Sequence, residues 1–188
     1  ETSAIVATAR AHDLKVHVDG ARLANAAASL GCSLGEACAD ADAVSFGATK
    51  NGAVLAECVV FLDPALAADF KYVRKQSGQL ASKMRFVSAQ FIALLEGDLW
   101  RQNAAHANAM ARLLAEGAGR IDGVRITQPV QANEVFAVLP REVIEPLQAE
   151  FDFYSWDERA DEVRWVTSWD TAEEDVERFA AALAREVG

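Results

Sequence analysis

Apolar and polar positions alternate with a different period in each part of the chain. Residues 2–10 carry apolar side chains at helical spacing and predict an amphipathic helix, with no strand of its own before it; a first strand and its loop are expected upstream. Residues 15–18 alternate with period two and predict a short strand. Residues 21–30 follow as an alanine-rich helix with Leu23, Ala27 and Leu30 on one face, stopped by Gly31. Ser33 and Glu36 have the spacing of a capping box opening a short helix. Residues 43–46 and 58–62 are apolar runs of strand length, with residues 47–51 between them. Pro64 suits the first turn of a helix, residues 76–82 read as a polar loop, and two helices are predicted over 86–95 and 99–115.

Glycines at 117, 119 and 123 end that pattern. Beyond them short strands are predicted over 124–127, 134–139, 153–156 and 163–169, with helices over 142–150 and 172–187. Thr171 and Glu174 would cap the last helix. The reading is therefore α/β over residues 1–117 and a smaller α+β domain over 118–188, with no internal repeat.

Composition narrows the classes. With 188 residues and 52% hydrophobic content the chain can bury a core. No apolar run approaches the roughly 18 residues that span a bilayer, and the start lacks the basic and apolar regions of a signal peptide, so a soluble cytoplasmic protein is expected. A net charge of -10, with the 18 basic residues dispersed, argues against nucleic acid as a partner. The three cysteines form no CxxC pair, and with three histidines no metal-ligand spacing arises. The thiols are read as reduced, mostly buried and structural.

Two stretches carry candidate chemistry. In HVDGAR, residues 17–22, the strand pattern ends on an acid, a glycine and an arginine as a helix begins. Side chains and helix amides converge on ligands at such corners, although a helix cap by Asp19 and a solvated Arg22 would look alike. In SFGATKNG, residues 45–52, Lys50 lies among small residues between two apolar runs; taken alone, a surface lysine in a tight turn is the usual explanation. Together the two stretches supply what pyridoxal-phosphate (PLP) chemistry needs: a buried lysine for the imine and, about thirty residues earlier, an acid to keep the pyridine nitrogen protonated.

With these residues in view, HVDGARLAN (17–25), SFGATKNG (45–52), QLASKMRFVSAQ (79–90) and VRWVTSWD (163–170) resemble the bacterial low-specificity threonine aldolases, in order and across essentially all 188 residues. The resemblance implies part of the large domain of the fold type I PLP enzymes, followed by a small C-terminal α+β domain. It implies Lys50 as the Schiff-base lysine, Asp19 as partner of the pyridine nitrogen, Arg22 as donor to the phenolic oxygen and Arg164 as ligand of the substrate carboxylate. Lys83 and Arg85 would lie near the cofactor phosphate of a neighbouring subunit, in a segment that also offers Arg74 and Lys75. A homo-oligomer, dimer or tetramer, with shared active sites follows from the same resemblance.

Strand alternation places Arg164 on one face with Val166 and Ser168, opposite Val163, Trp165 and Thr167. A guanidinium among apolar neighbours needs an anion: a substrate carboxylate, or structurally Asp161 or Glu162. His12 and His106 read as surface residues, whereas His17 shares a face with Asp19. The family's phosphate-cradling residues and its ring-stacking histidine belong to an N-terminal half outside these residues, so the segment alone is expected to lack a complete active site. The implied reaction cleaves threonine and related β-hydroxy amino acids to glycine and an aldehyde, with the base for the hydroxyl proton unassigned. Alternatives are a PLP-dependent β-eliminating lyase or a truncated, non-catalytic assembly module.

Overall fold

The computed structural model describes residues 2–38 and 40–188. The chain forms two compact units, Glu1–Gln102 and Asn103–Gly188.

The first unit opens with helix α1 (Thr2–Ala11) and is built on a three-stranded sheet in the order β1 (His17–Gly20), β2 (Ala43–Gly47), β3 (Glu57–Phe61). β1 and β2 run parallel, with Asp19 opposite Ser45 and Gly20 opposite Phe46; β3 is antiparallel to β2. Helices α2 (Leu23–Leu30) and α3 (Leu34–Ala37) connect β1 to β2. Leu23, Cys38, Ala41, Val44 and Phe46 form the core between these helices and the sheet. Gly31 ends α2 at φ 67°, and the Ser33–Glu36 capping box opens α3, both as the sequence pattern predicts.

β1 begins two residues later than its alternation predicts. The Val16 N–H is taken by the Asp42 carboxylate at 2.6 Å, and the Val16 carbonyl accepts from Asp42 N, so the strand ladder starts only at His17 opposite Ala43. Asp42 also holds Arg10 at 2.7 Å and Lys15 at 3.4 Å, with Lys15 bridging on to Asp63 at 2.8 Å. This nearly buried carboxylate thereby fastens α1 and the entry to β1 to the start of β2. Helix α2 likewise starts at Leu23 rather than 21, because Asp19 Oδ1 accepts from Ala21 N at 3.1 Å and turns the chain before the helix begins.

After β3, Pro64 leads a 3-10 turn (Pro64–Ala67), and helices α4 (Phe70–Gln76) and α5 (Arg85–Leu95) follow. Helix α6 (Leu99–Ala118) carries the chain into the second unit.

The second unit has a four-stranded antiparallel sheet in the order β4 (Arg125–Ile126), β5 (Glu134–Val138), β7 (Glu162–Val166), β6 (Tyr154–Asp157), with helices α7 (Arg141–Glu150) and α8 (Glu173–Val187). Val135, Ala137, Val163 and Trp165 from the sheet, with Leu139 just beyond β5, meet Met110, Leu114, Leu147, Phe179 and Leu183 in one core. Trp165 and Phe179 pack edge to face at 5.0 Å.

β7 is shorter than its predicted run over 163–169. Regular pairing stops at Val166, and a looser bridge continues through Thr167 N to Asn133 O and Asn133 Nδ2 to Thr167 O. The predicted cap of α8 is also corrected. The Thr171 hydroxyl instead accepts from Ser168 N at 2.8 Å, the N-cap is Ala172, and its N–H is taken by Asp175. Of the three cysteines only Cys38 is buried and all are free, so the expectation of mostly buried thiols holds for one of them. Burial raises the Cys38 and Cys58 thiols above their ordinary value.

Candidate active site

Parallel strands place their carboxyl ends on one edge of the sheet, and the residues that leave those ends share a crevice. β1 ends on Asp19 and Gly20; β2 ends on Gly47 and runs into the 3-10 turn Thr49–Asn51, which holds Lys50. The two exits are in direct contact. A Cβ on Gly47 would stand 3.1 Å from Ala21 Cα and 2.7 Å from a Glu57 carboxylate oxygen, and one on Gly20 would stand 2.7 Å from the Ser45 carbonyl. Glycine at both positions lets the Asp19–Arg22 corner and the approach to the Lys50 turn close on one another.

Asp19 and Lys50 are both exposed within this chain, where a buried lysine was expected, and Lys50 lies on the 3-10 turn that follows β2. Among the described residues the only hydrogen bond of Asp19 is the one it accepts from Ala21 N, which leaves one carboxylate oxygen able to accept another donor. Arg22, half-buried, is the N-cap residue of α2 with φ -129°. His17 lies on the same strand face as Asp19, and its Nε2 is 2.7 Å from the Ser45 hydroxyl.

The Lys50 turn is anchored on both sides by residues that sequence reasoning missed. Asn51 is buried, and its Nδ2 donates to the Trp100 carbonyl at 3.0 Å. The Thr49 hydroxyl accepts from Ala56 N at 3.2 Å, while Ala53 N and Asn51 N both return to the Ala48 carbonyl. Gly52 reverses the chain at φ 104°. From α5, the Gln90 amide reaches the backbone of Val54 and Leu55. Gln90 belongs to the motif over 79–90, yet in sequence it reads only as a polar position on a helix.

Lys83 and Arg85 flank the start of α5. Lys83 has φ 60°, an uncommon value for a lysine, and Arg85 is the first residue of the helix, which has no acid in its first turn. Both are exposed, as are Arg74 and Lys75 at the end of α4.

Arg164 stands on β7 in the second unit, on the face away from the core, as alternation predicts: Val163, Trp165 and Thr167 are buried, while Arg164 is half-buried and Val166 exposed. Its anion is neither Asp161, which binds Arg141 at 2.8 Å, nor Glu162, which accepts from the Thr127 hydroxyl. Arg164 Nη1 is 3.4 Å from Glu134 Oε1 on β5, with each side chain 24% exposed. The Trp156 ring lies 4.8 Å from the guanidinium carbon, and Phe136 packs on Trp156 edge to face. Among the described residues the buried Arg164 Nε has no hydrogen-bond partner. His106, exposed as expected, lies 2.7 Å from the Thr171 carbonyl.

The beta-eliminating lyase family matches residues 1–141. The low specificity L-threonine aldolase of Pseudomonas aeruginosa is 45% identical over 190 residues, covering 100% of this chain and 54% of that protein. The solved threonine aldolase of Leishmania major superposes with a TM-score of 0.89 at 32% identity, covering 100% of this chain and 56% of that one. Catharanthus roseus tryptophan decarboxylase shares the fold, with a TM-score of 0.76 at 17% identity over 99% of this chain and 45% of that one. The chain thus spans about half the length of the curated relatives it matches. The architecture is α/β, part of the large domain of the fold type I PLP enzymes followed by a small α+β domain. By the family match over three quarters of its length, the chain belongs to the beta-eliminating lyase family.

Proposed function

We propose that the protein containing this chain is a cytoplasmic, PLP-dependent aldolase that cleaves threonine and related β-hydroxy amino acids to glycine and an aldehyde. The observation that carries the reading is the pairing of Asp19 and the Lys50 turn at the carboxyl ends of adjacent parallel strands, joined by the Gly47–Ala21 approach. The residues suit the cofactor: an exposed amine on a fixed turn, a carboxylate with one oxygen available, and an arginine at the next helix start. When bound, PLP supplies an electron sink for the pair left on Cα when the Cα–Cβ bond breaks.

In this reading Lys50 would hold the cofactor through its side-chain amine. Asp19 accepts the pyridine N–H and keeps that proton in place, which favours the charge of the transition state over the bound substrate. Arg22 donates to the phenolic oxygen. Arg164 holds the substrate carboxylate; its buried Nε, without a partner among the described residues, supports an anion as the missing acceptor. Lys83 and Arg85 attend the phosphate of a neighbouring subunit. Two cations at a helix start oppose the helix dipole unless an anion joins them, which favours a phosphate there. A homo-oligomer with shared sites agrees with exposed apolar side chains such as Val54, Leu55 and Phe86. Three free cysteines fit a reducing compartment.

Borohydride reduction of the PLP-loaded full-length protein, followed by peptide mapping, tests the assignment. A reduced adduct on Lys50 is expected; an adduct on another lysine, or none, overturns it. The family match itself favours a second reading, β-elimination, which uses the same lysine and acid but breaks a different bond. Detection of glycine and aldehyde rather than ammonia and an oxo acid separates the two.

A further inference from the structure

The loop that follows Lys50 has little packing to hold it. Val54 is 90% exposed and Leu55 65%. Within this chain these exposed side chains do little to fix the backbone that carries them, and polar contacts hold the loop. Ala48 and Thr49 hold its two ends at Ala53 and Ala56, and one side chain holds its middle. Gln90 Oε1 accepts from Val54 N at 2.9 Å and Leu55 N at 3.3 Å, and Gln90 Nε2 donates to the Leu55 carbonyl at 3.3 Å. The same Nε2 donates to the Phe86 carbonyl one helical turn back at 3.1 Å, which fixes the orientation of the amide.

We propose that Gln90 is a positioning residue for Lys50: by pinning the backbone at Val54 and Leu55 to α5 it holds the turn from which Lys50 reaches the cofactor. The inference rests on the reading of Lys50 as the cofactor-linked lysine. The chemistry selects glutamine at this position. The site needs an acceptor for two N–H groups and a donor for two carbonyls, all within reach of one side chain. A carboxylate satisfies the first pair and faces the second with a lone pair; an aliphatic residue satisfies neither. Because α5 also begins at Arg85, just after Lys83, the same clamp ties the Lys50 loop to the helix whose start carries the proposed phosphate ligands. A change at Gln90 therefore reaches both parts of the cofactor site without touching the cofactor.

The test compares wild type, Gln90→Leu and Gln90→Glu as full-length proteins titrated with PLP. Amide hydrogen exchange over residues 52–56 reads the clamp itself. PLP affinity, and the pH at which the absorbance of the bound cofactor changes, read its effect on Lys50. Gln90→Leu is expected to lose exchange protection at Val54 and Leu55, to bind PLP about tenfold more weakly, roughly the loss of one hydrogen bond's net contribution, and to shift the absorbance titration. Gln90→Glu, which keeps both N–H contacts, should fall between the two. Should Gln90→Leu fail to fold, Gln90→Glu decides by the same readings. A Lys50 adduct in wild type together with unchanged PLP affinity and titration in the folded variants overturns the positioning role alone. Absence of a Lys50 adduct in wild type overturns the reading of Lys50, and this role with it.

Discussion

Replacing Arg164 by lysine in the full-length protein separates substrate binding from architecture. A guanidinium holds a carboxylate through two parallel hydrogen bonds, whereas an ammonium presents a compact point charge, so the change keeps the charge and loses the fork. A charge-assisted hydrogen bond is worth about 1–3 kcal/mol, which corresponds to a rise of roughly 5- to 150-fold in KM for threonine. The structural contacts of Arg164 are weaker. Its ion pair with Glu134 is 3.4 Å long with both side chains 24% exposed, a setting in which such pairs contribute at most about 1 kcal/mol. The stack on Trp156 adds about 0.5–1 kcal/mol, and lysine retains part of both. Stability should therefore fall by about 1 kcal/mol or less, a Tm shift of at most about 4 °C. The assay is KM and kcat for threonine beside a thermal melt, with the absorbance of the bound cofactor as control. A large drop in Tm with unaltered KM would defeat the assignment of Arg164 as carboxylate clamp and leave it as a strut between β5 and β7.

Two further perturbations test other parts of the molecule. Asp19→Asn should leave the fold intact, since an amide oxygen can still accept from Ala21 N, while turnover falls by several orders of magnitude; turnover within about tenfold of wild type, roughly 1.4 kcal/mol in barrier, would make Asp19 a turn former only. Asp42 is held well below the ordinary carboxylate range, at about 2, chiefly by the Arg10 hydrogen bond and then by Val16 N. A depressed folded value means its contribution is full above about pH 4 and is lost as pH falls toward 2, so denaturant midpoints should drop across that window, and by less in Asp42→Asn; an equal drop in both proteins would show that Asp42 is not the group responsible.

Periodicity in the sequence located most elements, because it depends only on which neighbours along the chain are apolar. The amphipathic α1, the Gly31 stop, the Ser33–Glu36 box and the strands around 43–46 and 58–62 are local features, and they appear where their patterns predict. Errors fell where a side chain takes over a backbone N–H. Asp42, 26 residues away, claims Val16 and delays β1. The Asp19 carboxylate claims Ala21 and delays α2, and Ser168 claims the hydroxyl predicted to cap α8. The candidate site was legible for a related reason. An acid and a lysine that end consecutive strands are forced to one sheet edge as soon as those strands pair in parallel.

The anchors of that site were illegible because each joins a side chain to backbone far away: Gln90 to Val54 across 36 residues, Asn51 to Trp100 across 49. Backbone is chemically the same at every residue, so no complementary residue type marks the partner. Glu134, 30 residues from Arg164, faces many cations in the sequence and is singled out only by the β5–β7 register. The anchors nonetheless explain the contrast within the Lys50 turn. Lys50 is exposed, while its neighbour Asn51 is 3% exposed and hydrogen-bonded at depth. On the proposed chemistry Lys50 would hold the cofactor from a tip that moves on a base that does not. Fixing the residues on either side of it, through Thr49 on Ala56, Asn51 on Trp100 and Gln90 on the loop beyond, confines the motion to the side chain's own rotatable bonds.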